Sequence, residues 1–555
     1  MELQHKIEDA RICWLTAILI SLVVMGVYLF AASRSTLWDR DEPRFTRATV
    51  EMLESGKYLV PTFNGQMWAD KPILFYWMMS LPVRLLGPTE FACRFFAGLG
   101  TAITCLLTFF IGLRLFNPRT ALMAMVILAS TLMILGVGSL ATIDAVLLPI
   151  NLAVLAIFVQ ACFSGFNAFH IILMAIALGA AMLAKGPMGL SPVVVMVAAA
   201  WLLRKIKPGA LRYIWLVAIA AVFGTFIFCA WAIPANNATG GEFLKVFIGR
   251  HILTRAIKPM ENHGGQFLLY LPYYLPIVIV GFFPWTLHLP GTVSAIIGKR
   301  IGNPYARAIL IAWIVPVFII MSLAATKLPH YIVFIWPAFA IAVAATIDAE
   351  SQNIFTVQDR KWFRGGVWFF GSVAVGAAIA LLIAPHFLHA PALWRPCLEC
   401  AAILIATTIF AVRHQLAERF HKSALVVLTG MILLYISYLF GFLPAFEQLK
   451  ISPPIAKAVR EKTPPQTPVA MYKYAEPSLN FYIARQIEEL RSANAVVEWA
   501  KQPLNGVLII PKDILADIEK ARGPLALEQI TSKKGFNYSK GKTLEVLALV
   551  RKQRN

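Results

Sequence analysis

The sequence predicts a polytopic α-helical membrane protein with a small soluble α/β domain at its C-terminal end. Three observations carry this. Hydrophobic residues make up 59% of the 555 and charged residues only 14%, a balance no soluble globule shows. Apolar runs of the length needed to cross a bilayer, about 20 residues each, recur up to residue 445. Beyond that point short apolar runs alternate with charged, helix-like segments.

In chain order, about thirteen apolar runs predict membrane passes: 12–32, 92–115, 119–138, 142–162, 168–184, 188–204, 211–233, 267–290, 306–324, 329–347, 365–385, 391–412 and 423–445. The first is too long for a secretory signal and lacks a small-residue cleavage site, so it reads as a retained anchor. The loop 33–91 that follows is long enough to be functional. It opens on "LWDRDEPRFTRA" (Leu37–Ala48), six charged residues in twelve. Asp41 and Glu42 before Pro43 read as a helix start. Phe45, Ala48, Met52 and Leu53 then share one face, predicting a helix that lies flat on the membrane. "KPILFYWMMSLPVRLL" predicts a second interfacial piece. A second long loop spans 234–266. The membrane domain thus covers 1–445, "ISPPIAKAVREKTPPQTP" places a Pro-rich linker at 446–467, and 468–555 form the soluble domain.

The net charge is +21, but its distribution excludes a nucleic-acid partner. Basic residues gather in alternate loops: Lys6 and Arg11; Arg114 and Arg119; Arg204, Lys205, Lys207 and Arg212; Lys299, Arg300 and Arg307; Arg360, Lys361 and Arg364; Arg413, Arg419 and Lys422. The positive-inside rule makes these loops cytoplasmic. The N-terminus is then inside, and an odd number of passes puts the soluble domain outside. The seven cysteines read as buried small hydrophobes. Cys397 and Cys400 form one CxxC, which leaves a disulfide or a metal pair open.

On this topology the remaining polar residues collect at the outer face. Asp41, Glu42 and Arg44 open the first loop, and Asp70 and Lys71 sit in "WADKPILFYW". Asp144 starts a pass in "SLATIDAVLLP", and Lys185 ends one in "AMLAKGPMG". His251 and Arg255 stand in "GRHILTRAI", and Lys327, His330 and Tyr331 in "ATKLPHYIVF". Each has an ordinary explanation: helix capping for the acids, C-terminal complement for the lysines, an aromatic belt for Tyr331. Together they leave a modest surplus of Lys and Arg, which suits an anionic ligand, phosphate above all. A phosphorylated lipid fits the location.

These residues also carry a resemblance. "RDEPRFTRATVEMLESGKYLVPTFNGQMWADKPILFYW" resembles the first outer loop of bacterial aminoarabinose transferases and of the wider protein O-mannosyltransferase-like glycosyltransferases. "FACRFFAG", the Asp144 position, "LAKGP", "HILTRAI…YLPYYLPIVIVGFFPW" and "TKLPHYIVFIWPAFA" follow in that family's order. Two positions depart from it: Phe45 replaces a common Tyr, losing a phenolic hydrogen bond, and Arg250 precedes His251 where a Glu is familiar.

The resemblance implies the C-type glycosyltransferase fold in the bacterial inner membrane and a donor of undecaprenyl phosphate carrying a sugar. It implies lipid A, or another membrane-borne acceptor, as partner. With it, charge logic assigns Asp41, Asp144, Lys71 and Arg44 to catalysis. Lys185, Arg255, Lys327 and His330 are assigned to the donor phosphate. Glu42, Asp70, His251 and Tyr331 are assigned to the substrate pocket. No cofactor is implied, and a metal is compatible but not required, because lysine and arginine can neutralise a single leaving phosphate. A protein hydroxyl or another glycan is the alternative acceptor. A transporter fits less well, since transporters place their charges near the bilayer midplane.

Overall fold

The computed structural model describes residues 2–254 and 270–551, with only the backbone described for residues 2–9 and 250–254. As far as Asn237 the chain forms α1 (Glu2–Ala32), α2 (Asp41–Ser55), α3 (Leu74–Leu86), α4 (Glu90–Leu115), α5 (Pro118–Ala129), α6 (Leu132–Gly138), α7 (Ile143–Ser164), α8 (Ala168–Lys185), α9 (Ser191–Leu203) and α10 (Arg212–Asn237). Hydrocarbon offers the backbone no hydrogen-bond partner, so each apolar run satisfies its own amides as a helix. Side chains start several of them: Asn117, Asn167 and Asn303 each accept from the amide three residues on.

Among the described residues ten helices are long and apolar enough to cross a membrane, and eleven if α5 and α6, bent by 68°, make one pass. That count treats Ala168–Leu203 as one stretch, yet α8 and α9 fold as a hairpin. Ser191 at the head of α9 accepts from Asn151 near the head of α7. Lys207, just past α9, donates to the Cys162 carbonyl near the tail of α7. So α9 runs beside α7 in the same direction, and α8 runs opposite to both. The stretch Pro329–Gln352 forms the hub, 94% buried, while Val357–Phe387 is only 17% buried. Small residues let the helices close up: a Cβ on Gly100 of α4 would meet the Ala145 carbonyl of α7 at 2.4 Å.

Two local expectations fail, each for a physical reason. α2 is not half exposed, contrary to what its charged face suggests. It is buried on most sides, Arg47 and Glu51 included, because these charges satisfy one another at 3.0 Å. Glu51 also accepts from Thr62, Asn64 and Gly65, tying down the small hairpin of β1 (Thr62–Phe63) and β2 (Gln66–Met67). The expected linker likewise contains a helix, Ser452–Lys462, with prolines in its first turn, where a missing amide costs nothing. Its Ile455, Ala456 and Val459 join the core of the C-terminal domain.

That domain adds β3 (Val469–Met471), β4 (Ile487–Glu489), β5 (Val507–Pro511), β6 (Leu527–Asn537) and β7 (Lys542–Arg551). They form one sheet in the order β4-β3-β5-β7-β6. β3 lies parallel to β4 and β5, and β7 antiparallel to β5 and β6. Helices cover both faces, so β5 is buried throughout. Cys397 and Cys400 are both free, and Cys400 donates to Ser437.

Candidate active site

The site is built on a clip at the head of the first loop. Arg94 of α4 presents Nε and Nη2 to the two oxygens of Glu42 at 2.8 and 2.7 Å. Its remaining N–H groups reach the carbonyls of Ala32, Ser35 and Thr36. Glu42 in turn accepts from the amides of Trp38 at 2.9 Å and Ala141 at 2.5 Å. Both side chains are buried, so the bidentate pair is desolvated but fully bonded. It joins the end of α1, the start of α2, α4 and the turn before α7. Neighbouring positions on a helix point about 100° apart. With Glu42 locked inward, Asp41 therefore faces out; its side chain is 61% exposed and 3.7 Å from Arg44.

A second cluster gathers elements far apart in sequence. Asp144 in the first turn of α7 accepts from Lys185, the last residue of α8, at 2.6 Å. Its other oxygen lies 3.5 Å from His330 Nε2. The Lys185 ammonium also sits 4.7 Å above the Tyr331 ring, which meets His330 edge-on at 5.1 Å. The charges of Asp41 and Lys71 reach His330 as well. Lys71 pairs with Asp70 at 2.9 Å, and Arg44 stacks over Trp68 at 5.6 Å. Lys327 is buried. Its ammonium donates to the Ala324 carbonyl, no carboxylate of the described residues pairs with it, and burial holds its pKa below the usual lysine range.

The two carboxylates therefore differ in kind. Asp144 is buried and shared between Lys185 and His330. Asp41 is open and can meet an incoming group. Buried ammonium groups beside an open carboxylate suit a ligand whose anionic part docks while a neighbouring atom reacts.

Known proteins share this framework. A family model described as dolichyl-phosphate-mannose-protein mannosyltransferase matches residues 70–231. The undecaprenyl phosphate-alpha-4-amino-4-deoxy-L-arabinose arabinosyl transferase of Pectobacterium carotovorum is 30% identical over 67% of this chain and 66% of its own length. That of Pectobacterium atrosepticum is 30% identical over 65% and 64%. The chain thus spans just under two thirds of these relatives. ArnT from Cupriavidus metallidurans bound to undecaprenyl phosphate superposes with a TM-score of 0.74 over 96% of this chain and 97% of that one, at 19% identity. The chain is similar in sequence to the aminoarabinose transferases and shares the fold of ArnT.

Within this frame the fold brings Asp144, Lys185, His330 and Tyr331 into direct contact, with Asp41, Arg44, Asp70 and Lys71 beside them. Arg255 lies outside the described residues, as does the side chain of His251. Glu42 is not a pocket residue: its oxygens are taken up by Arg94 and two amides. Sequence reasoning missed Arg94. The signal was present, because an arginine in "FACRFFAG" opens an apolar run, and such a charge must find a partner.

Proposed function

We propose that the protein is an inverting glycosyltransferase that moves aminoarabinose or a related sugar from undecaprenyl phosphate to a phosphate of lipid A, at the periplasmic face of the inner membrane. Asp144 shared by Lys185 and His330, with Asp41 open beside them, is the observation that carries this reading. Thirteen passes suit it, counting α8 and α9 separately and the apolar segment before Ile297 as a further pass. The N-terminus is then cytoplasmic and the C-terminal domain periplasmic.

The acceptor oxygen attacks the anomeric carbon from the face opposite the donor phosphate. As the new C–O bond forms, the old one breaks, and undecaprenyl phosphate leaves with the electron pair. Lys185, Lys327 and His330 stabilise the charge that grows on the leaving oxygen. A phosphate acceptor is already ionised near neutral pH and needs no base, so Asp41 orients it and supports the positive charge developing on the sugar. Arg44 lies beside Asp41 and steadies it, and Asp144 holds Lys185 and His330 in place.

The match to a protein mannosyltransferase model over 70–231 favours a second reading, in which the acceptor is a protein hydroxyl or another glycan. Asp41 would then act as general base, a role worth roughly 10²–10⁴-fold. Mass spectrometry of lipid A from cells with and without the protein decides between them. The mass of the added sugar must appear only with the protein. Unmodified lipid A beside a newly glycosylated protein fraction would favour the second reading.

A further inference from the structure

Asp41 lies between two clamps. On one side Glu42 is fixed by Arg94. On the other, Asp39 is held by the C-terminal domain: the Ser478 amide donates to Oδ1 at 2.7 Å and the Ser478 hydroxyl to Oδ2 at 2.5 Å. The Asp39 amide donates to the Tyr538 hydroxyl at 2.9 Å. The same domain grips the rest of this arm. The Leu37 amide donates to the Tyr482 hydroxyl at 2.7 Å, which itself donates to Glu90 at 2.8 Å. Lys450 donates to the Thr36 carbonyl at 2.9 Å and stacks 3.9 Å over Trp38.

The far arm of the loop is held as well. The Asn64 side chain exchanges two hydrogen bonds with the backbone of Ile487 in β4, at 2.8 and 2.9 Å. Next to it, a Cβ on Gly65 would meet Gln486 at 2.6 Å. The helix Pro477–Ile483 packs along α2. So the domain touches the loop before Asp41, alongside it, and ahead of Asp70 and Lys71. It places no side chain in the cluster around Asp144 among the described residues.

Building on the glycosyl-transfer reading, we propose that the C-terminal domain completes the active site by holding the first loop, with Ser478 as the positioning residue for Asp41. The geometry is specific. Two donors on one residue match two oxygens on Asp39, which fixes the plane of that carboxylate and hence the backbone two residues before Asp41. Ser478 is itself braced, its hydroxyl 2.7 Å from that of Ser452, which lies 2.8 Å from the Tyr474 hydroxyl. A chain of hydroxyls thus runs from the domain core to the loop. Membrane helices fix the Asp144 cluster, and the soluble domain fixes Asp41 against it.

The test uses purified full-length protein carrying Ser478→Ala, Ser478→Thr or Asp41→Asn. Ser478→Ala should speed hydrogen exchange across residues 36–44 and lower kcat about tenfold, as misplacing a reacting group does. Donor KM should stay within about twofold, Tm should fall by a few degrees at most, and Ser478→Thr should restore both exchange and kcat. A fully active Ser478→Ala beside an inactive Asp41→Asn would overturn the positioning alone. Full turnover in Asp41→Asn would overturn the reading of the reaction on which it rests. Activity that falls in step with Tm, and that Thr does not restore, would make the contact a matter of stability and overturn the proposal too.

Discussion

Lys185 and Asp144 form a buried ion pair at the seam of α7 and α8, ammonium to carboxylate 2.6 Å apart. The contact joins the end of one helix to the start of its neighbour, so both charges emerge where the helices leave the bilayer. A pair like this is weak evidence for stability, since desolvation offsets much of the attraction. Its value is to keep an ammonium dehydrated and aimed. His330 shares the same carboxylate, which leaves one negative charge to serve two nitrogens.

Removing the pair together separates structure from function. Asp144→Asn and Lys185→Met each strand one buried charge, whereas the double variant strands none. The double variant should lie closer to wild type in thermal unfolding than the singles predict, with a coupling of about 1–3 kcal/mol. It should still fail to use the donor. Double-variant activity near wild type would show that Lys185 is structural.

Arg94 should behave in the opposite way. Its guanidinium makes a two-pronged contact with Glu42 and closes three backbone carbonyls. Lysine offers a point charge and cannot reproduce that fork. Arg94→Lys keeps the charge but leaves backbone carbonyls unpaired, so it should be less stable by about 1–3 kcal/mol, with activity lost in proportion to folded protein. Fluorescence-detected thermal unfolding in detergent measures it. A stable Arg94→Lys would mean that the clip does not hold the loop.

The helices were legible in the sequence because hydrocarbon leaves the backbone one solution, and twenty apolar residues announce it. The charges were harder. Arg47 and Glu51 look like a solvated face because sequence shows each charge but not its partner; here the partners are each other. Pro453 and Pro454 look like a break, and the fold uses them as a helix start. The Asp144, Lys185 and His330 contact joins residues from 144 to 330, and nothing local predicts that they meet. Their shared position at one membrane face did. Asp39 went unnoticed because its partner, Ser478, lies 439 residues away.

Asp41 and Glu42 are neighbours with opposite fates, and substitution should expose the difference. The Asp41 side chain is exposed, so Asp41→Asn should insert and unfold like wild type while losing about 10²–10⁴-fold in turnover if a hydroxyl must be deprotonated. A smaller loss is expected if the acceptor is a phosphate. Glu42→Gln should instead destabilise the protein, because a neutral amide cannot balance Arg94. Kinetics of the purified variants beside their unfolding curves read both. Near-normal turnover in Asp41→Asn would remove it from the chemistry.

Asp39 gives the loop a dependence on pH. Burial raises its pKa from 3.8 to about 6, against the hydrogen bonds of Ser478, which lower it, and the nearby Glu476, which raises it; Lys450 pulls the other way. The folded state thus favours the neutral acid. This group's contribution is most favourable below pH 4, weakens as pH rises from about 4 to 6, and is constant above. The size of that loss is about 1–3 kcal/mol. Asp39→Asn keeps the group neutral at every pH. Its stability relative to wild type should therefore rise between pH 4 and 6, and the pH dependence of exchange in residues 36–44 should flatten. Unfolding curves at pH 4.5, 5.5 and 7 for the two proteins supply the measurement. Parallel behaviour across that range would mean that Asp39 titrates as an ordinary exposed carboxylate, and that Ser478 grips it without removing it from water.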